Sequence, residues 1–115
     1  MALSVEMITF DCSDPDKLAQ WWAQAADGQV NAFAPGEFVV VTRSAGPRLA
    51  FQKVPDPTPG KNRVHIDFGV ADTEAEVKRL VELGAVETGR HTFGENFSWV
   101  VLADPDGNAF CVASG

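Results

Sequence analysis

Met7-Ile8-Thr9-Phe10 and His65-Ile66-Asp67-Phe68 stand about 58 residues apart and read as the same strand written twice. In both, apolar residues occupy alternate positions. Strand side chains alternate between faces, so Ile8, Phe10 and Cys12 share one face and Met7, Thr9 and Asp11 the other. Ile66 and Phe68 oppose His65 and Asp67 in the same way. The same alignment lays Asp14 over Asp72, each at the head of a helical stretch, which is the signature of a tandem supersecondary unit. The apolar faces are expected to meet the helices, leaving the more polar faces turned toward each other or toward a common cavity.

Working outward from the first copy, a strand over Val5 to Cys12 leads into Asp14-Pro15-Asp16: Asp14 suits a helix cap, Pro15 the first helical position, and Asp16 the positive end of the helix dipole. Leu18, Trp22 and Ala25 recur at helical spacing, with Trp21 and Ala26 widening the stripe, until Asp27-Gly28. Three β-prone runs follow, Gln29 to Phe33, Glu37 to Thr42 and Arg48 to Val54, divided by Ala34-Pro35-Gly36 and Ser44-Ala45-Gly46-Pro47. The unit is β-α-β-β-β. After Pro55-Asp56-Pro57-Thr58-Pro59-Gly60, an extended connector, it restarts: a strand over Val64 to Val70, and Thr73-Glu74-Ala75-Glu76 as the capping box of a helix with Val77, Leu80 and Val81 on one side. That helix ends at Gly84, and strands follow over Ala85 to His91, Phe97 to Ala103 and Asn108 to Ala113. The expected organisation is one domain over 1–115, with a first module over 1–54, a connector over 55–62 and a second module over 63–115.

The chain has 115 residues, 45% of them hydrophobic, enough to bury a core. Its formal charge of −7 repels nucleic-acid and anionic membrane surfaces, so neither is an expected partner. No basic stretch followed by a long apolar run opens the sequence, and a cytoplasmic location is expected. Cys12 and Cys111 lie in strand-like contexts with no CxxC pattern, which predicts neither a disulfide framework nor a closed zinc site.

His65 is a cavity-facing acid, base or ligand anchor, or else a structural histidine satisfied by Asp67 two residues on. Lys61, Asn62 and Arg63 offer a small anion site, though a solvated connector is the simpler reading; Arg90 and His91 carry the same ambiguity. Phe97 and Trp99 make one face of the seventh strand aromatic, fit to stack on a ligand ring, while core packing is the ordinary use of such residues. Adjacent Trp21 and Trp22 cannot both face the core. Cys111 reads as a buried inert thiol, and Asp104-Pro105-Asp106-Gly107-Asn108 as a hairpin turn without catalytic role. No GxGxxG, P-loop, GxSxG or HExxH pattern is present.

Four segments in order resemble the glyoxalase/bleomycin-resistance, or vicinal oxygen chelate, superfamily, and within it small glyoxalase-like proteins common in actinobacteria. They are Asp11-Cys12-Ser13-Asp14-Pro15 before a helix with Trp21-Trp22; Lys61 to Asp67; Leu83-Gly84-Ala85; and Asp104 to Cys111. The resemblance implies an α+β fold in which tandem β-α-β-β-β modules form a curved, cup-like mixed sheet with the helices outside. Metal enzymes of the superfamily take one His, Gln or Glu ligand from each of four strand positions, which correspond here to Met7, Gln52, His65 and Cys111. Only His65 is a standard match, and a set without a carboxylate does not neutralise a dication, so no catalytic metal is expected and no cofactor is named. The implied function is binding of a small organic molecule by Met7, Thr9, Gln52, His65, Asp67, Trp99 and Cys111. The alternative is a lyase or isomerase using His65 as base or metal ligand, and a third reading is an interaction module. An exposed Trp21 or Trp22 and open sheet edges lead to the expectation of a homodimer.

Overall fold

The computed structural model describes residues 5–60, 62, 64–95 and 97–114, with the side chain of Phe93 left aside. Two compact units divide between Thr58 and Pro59, inside the proline-rich connector, and each repeats the same element order. The first comprises β1 (Met7–Cys12), α1 (Pro15–Ala25), β2 (Gln29–Ala34), β3 (Phe38–Thr42) and β4 (Arg48–Lys53). The second comprises β5 (Ile66–Val70), α2 (Thr73–Leu83), β6 (Val86–Phe93), β7 (Phe97–Ala103) and β8 (Ala109–Ser114). Each unit carries its own four-stranded mixed sheet, ordered β1-β4-β3-β2 and β5-β8-β7-β6. The strand before the helix pairs parallel with the last strand, and the remaining pairs are antiparallel.

In the first unit the face carrying Ile8, Phe10 and Cys12 meets the helix. Phe10 stacks on Phe51 at 5.0 Å between ring centroids and meets Trp22 of α1 at 5.5 Å. Trp22 is 2% exposed, whereas Trp21 is half-buried and meets Trp22 edge-on, so the two adjacent indoles divide as their spacing requires. Asp14 caps α1 by accepting from the Lys17 N–H, and Asp16 accepts from the Gly36 N–H, tying the first turn of α1 to the β2–β3 hairpin.

In the second unit Val77 and Leu80 of α2 are buried, and Val100, Leu102, Phe110 and Val112 are buried on the sheet. Three sequence expectations change here. The N-cap of α2 is Asp72, which accepts from the Ala75 N–H, so Thr73 is the first helical residue rather than the cap of a capping box. Val81 lies one residue round from Leu80 and is exposed rather than part of the buried stripe. The fifth strand starts at Ile66 rather than Val64, because Asn62 takes the ladder groups that an earlier start would use: its side chain accepts from the Ala109 N–H at 2.8 Å and donates to the Ala109 carbonyl at 3.3 Å. Asn62 also donates to the Val64 carbonyl, so its amide stands in for a strand partner beside the last strand.

The turn between β7 and β8 is held by Asp104, 3% exposed. Its carboxylate accepts from the backbone N–H of Asp106 and Asn108, each at 2.9 Å, and from the Asn108 side chain at 2.8 Å. Gly107 closes the turn at φ 90°, a conformation that favours glycine. The motif is occupied by its own hydrogen bonds, as a structural turn should be.

Candidate functional site

Alternation along β7 sends Val100 and Leu102 into the core beneath α2 and Phe97, Trp99 and Val101 to the opposite face. The aromatic pair is therefore not packed in the core of its own unit, contrary to the ordinary use of such residues. Phe97 is 50% exposed and lies 5.4 Å from Trp99, and His91, opposite Trp99 on β6, lies 5.5 Å from the same indole. Three tilted rings thus form a shelf. A cavity of about 480 Å³ opens over this face, with Val101 and Cys111 on its floor and His65 and Asp67 at the β5 side. Both histidines of the chain, His65 and His91, line it.

Parallel pairing sets Asp67 opposite Cys111, and His65 precedes β5 on the same face as Asp67. The His65 Nε2 and an Asp67 carboxylate oxygen are 3.3 Å apart. One donor atom each from His65, Asp67 and Cys111 lie within 4.8 Å of one another. Both His65 and Asp67 are exposed, whereas Cys111 is 4% exposed; neither it nor Cys12 is in a disulfide. His65, Asp67, Trp99 and Cys111 thus lie together around the cavity of the second unit.

Met7, Thr9 and Gln52 belong to the first unit. They point away from α1, since Phe10 and Phe51 point toward it, and Gln52 pairs with Asp11. The four positions implied by the resemblance divide between the units, and the donors do not fit a hard divalent ion: Met7 supplies a thioether, Gln52 a neutral amide, and Cys111 sulfur where a carboxylate is usual. Sequence reasoning named Phe97 with Trp99 as a possible stacking face and His91 with Arg90 as a possible anion site but left both out of the ligand set; what it lacked was the antiparallel register that sets His91 opposite Trp99. Of the candidate anion group, Asn62 is engaged with Val64 and Ala109, and Lys61 and Arg63 lie outside the described residues. Arg90 is held by Glu74 and Glu87 in a three-residue ion network. Its hydrogen bond holds the Glu87 carboxyl below its ordinary value, and the two glutamates push the guanidinium up.

Among the described residues no helix is long and apolar enough to cross a membrane. No functionally curated protein shares significant sequence similarity with the chain. Solved structures do share its fold. A glyoxalase/bleomycin resistance protein/dioxygenase family enzyme from Burkholderia phytofirmans superposes with a TM-score of 0.82 at 14% identity, covering 97% of this chain and 98% of the other. A superfamily member from Sphaerobacter thermophilus gives 0.77 at 23% identity, covering 100% and 99%. Lactoylglutathione lyase from Agrobacterium tumefaciens gives 0.75 at 16% identity, covering 99% and 95%. The family model of the glyoxalase-like domain matches residues 7–113, nearly the whole length over which both β-α-β-β-β units run, and the chain therefore belongs to the glyoxalase-like domain family.

Proposed function

We propose that the protein binds a flat, largely apolar organic molecule with one polar edge in the cavity over the second sheet, without the four-donor metal set of its superfamily. The observation that carries this reading is the division of the cavity: a ring shelf of Phe97, Trp99 and His91 on one side and the polar pair His65 and Asp67 on the other. A volume near 480 Å³ suits a molecule of drug-like size, and mostly apolar walls with few polar groups are the usual composition of such sites. Stacking supplies affinity, and the imidazole and carboxylate set the orientation. The first ligand panel pairs flat aromatic acids such as naphthoates, which match the ring shelf, with S-aryl glutathione conjugates, because one structural relative is a lactoylglutathione lyase.

Ligand that binds only the folded protein raises the unfolding midpoint, so thermal shift across this panel identifies a binder and calorimetric titration gives its affinity. His65→Ala should then weaken binding by about 1 to 3 kcal/mol, the scale of leaving a polar partner unsatisfied, and change stability less because the imidazole is exposed. Unchanged affinity with a large loss of stability would assign His65 to the structure instead.

A further inference from the structure

We propose that His65, Asp67 and Cys111 form a zinc-type metal site confined to the second unit, with an open coordination position facing the cavity. It deepens the reading above, because a metal there would sit at the polar edge of the same cavity. It differs from the four-position arrangement of the superfamily in taking no donor from the first unit, adding Asp67, and using sulfur in place of a carboxylate.

Geometry and charge both favour this. With Zn–N and Zn–O near 2.1 Å and Zn–S near 2.3 Å, donors around a tetrahedral ion stand about 3.3 to 3.7 Å apart. His65 Nε2 and Asp67 Oδ1 are already 3.3 Å apart, and all three donor atoms lie within 4.8 Å of one another, close to that spacing. Asp67 and Cys111 are register partners on paired strands, and Asn62 clamps the chain before β5 to the backbone of Ala109, so the donors stand on a supported frame. A carboxylate and a coordinated thiolate together neutralise a dication, and a thiol bound to zinc is deprotonated outright. The mixture of imidazole, carboxylate and thiolate selects zinc or cobalt over magnesium or calcium. Three protein ligands leave the fourth position of a tetrahedral ion for a water or a ligand donor.

Cobalt(II) added alone to the full reduced chain tests this without any organic ligand, so its failure is distinguishable from failure of the binding reading. The expected result is a thiolate-to-cobalt charge-transfer band and intense tetrahedral visible bands, saturating at about one equivalent and displaced by zinc. Cys111→Ser should abolish the charge-transfer band. Cys12→Ser should keep it, since Cys12 lies on the helix side of the first sheet and donates to the Gln52 carbonyl. His65→Ala and Asp67→Asn should each weaken cobalt binding by more than the tenfold typical of losing even an outer-shell contact. A weak octahedral spectrum without charge transfer, or loss of the band in Cys12→Ser instead, overturns the proposal. X-ray absorption of the zinc-loaded wild type removes dependence on variants that fail to fold: one sulfur in the coordination shell supports the site, and an all-nitrogen-and-oxygen shell refutes it.

Discussion

Met7, Thr9 and Ala50 occupy in the first unit the three strand places that His65, Asp67 and Cys111 occupy in the second. The alignment of the repeats pairs Met7 with His65 and Thr9 with Asp67, and the parallel ladders put Ala50 opposite Thr9 and Cys111 opposite Asp67. One backbone pattern thus carries a thioether, a hydroxyl and a methyl in one copy, and an imidazole, a carboxylate and a thiol in the other. Rings stand on both faces of each sheet. In the first unit Phe10, Phe51 and Trp22 pack beneath the helix, and Phe38, beside Phe33, shares the other face with Gln52; in the second, Phe68 and Phe110 lie on the helix side, and Phe97 and Trp99 on the face turned away, where Trp99 meets His91 at a cavity. The two copies share one frame and differ in the groups they set on the face away from the helix.

The sharpest way to break this contrast is to remove one ring from each unit. Phe51→Ala deletes a side chain that is 0% exposed and should cost about 3 to 5 kcal/mol in urea denaturation. Trp99→Ala should cost clearly less and remove the response to ligand. Equal costs would mean that the ring shelf is core and not a site. The next effect concerns the two connecting turns. Asp104→Ala removes a buried carboxylate that accepts three hydrogen bonds and should cost about 1 to 3 kcal/mol, whereas Ser44→Ala in the corresponding turn of the first unit, which carries no acid, should stay within about 0.5 kcal/mol. A neutral Asp104→Ala would show that the turn is held by its glycine alone.

The smallest effect separates acid behaviour. The Glu87 carboxyl is depressed by its hydrogen bond from Arg90, so its contribution to stability is complete above its ordinary value of 4.5 and is lost as pH falls through the depressed value. The stability difference between wild type and Glu87→Gln should therefore be small and flat above that pH and shrink below it, as expected of an exposed ion pair. A difference that grows with acid would reverse the assignment.

The repeat, both helices and all eight strands were legible because the apolar alternation of Ile8 and Phe10 recurs in Ile66 and Phe68, and because proline or glycine punctuates nearly every connection. The cap of α2 was misread since Thr73 satisfies the capping-box pattern locally; the repeat itself pointed to Asp72, the counterpart of Asp14. His65 and Asp67 were legible as a pair from period two alone. Cys111 joined them only through the resemblance, because its proximity depends on parallel register between the first and last strands of the second unit. The placement of Trp99 depends likewise on which face α2 covers, which alternation leaves undecided.

Fluorotryptophan labelling tests the central claim most directly, because two of the three indoles, Trp21 and Trp22, lie on α1 of the first unit and Trp99 stands alone in the second. With the Trp99 resonance assigned by Trp99→Phe, titration with the aromatic ligand that gives the largest thermal shift should move that fluorine resonance and leave the other two in place. Movement of the Trp21 or Trp22 resonance with Trp99 unaffected would contradict the assignment of the site to the second unit.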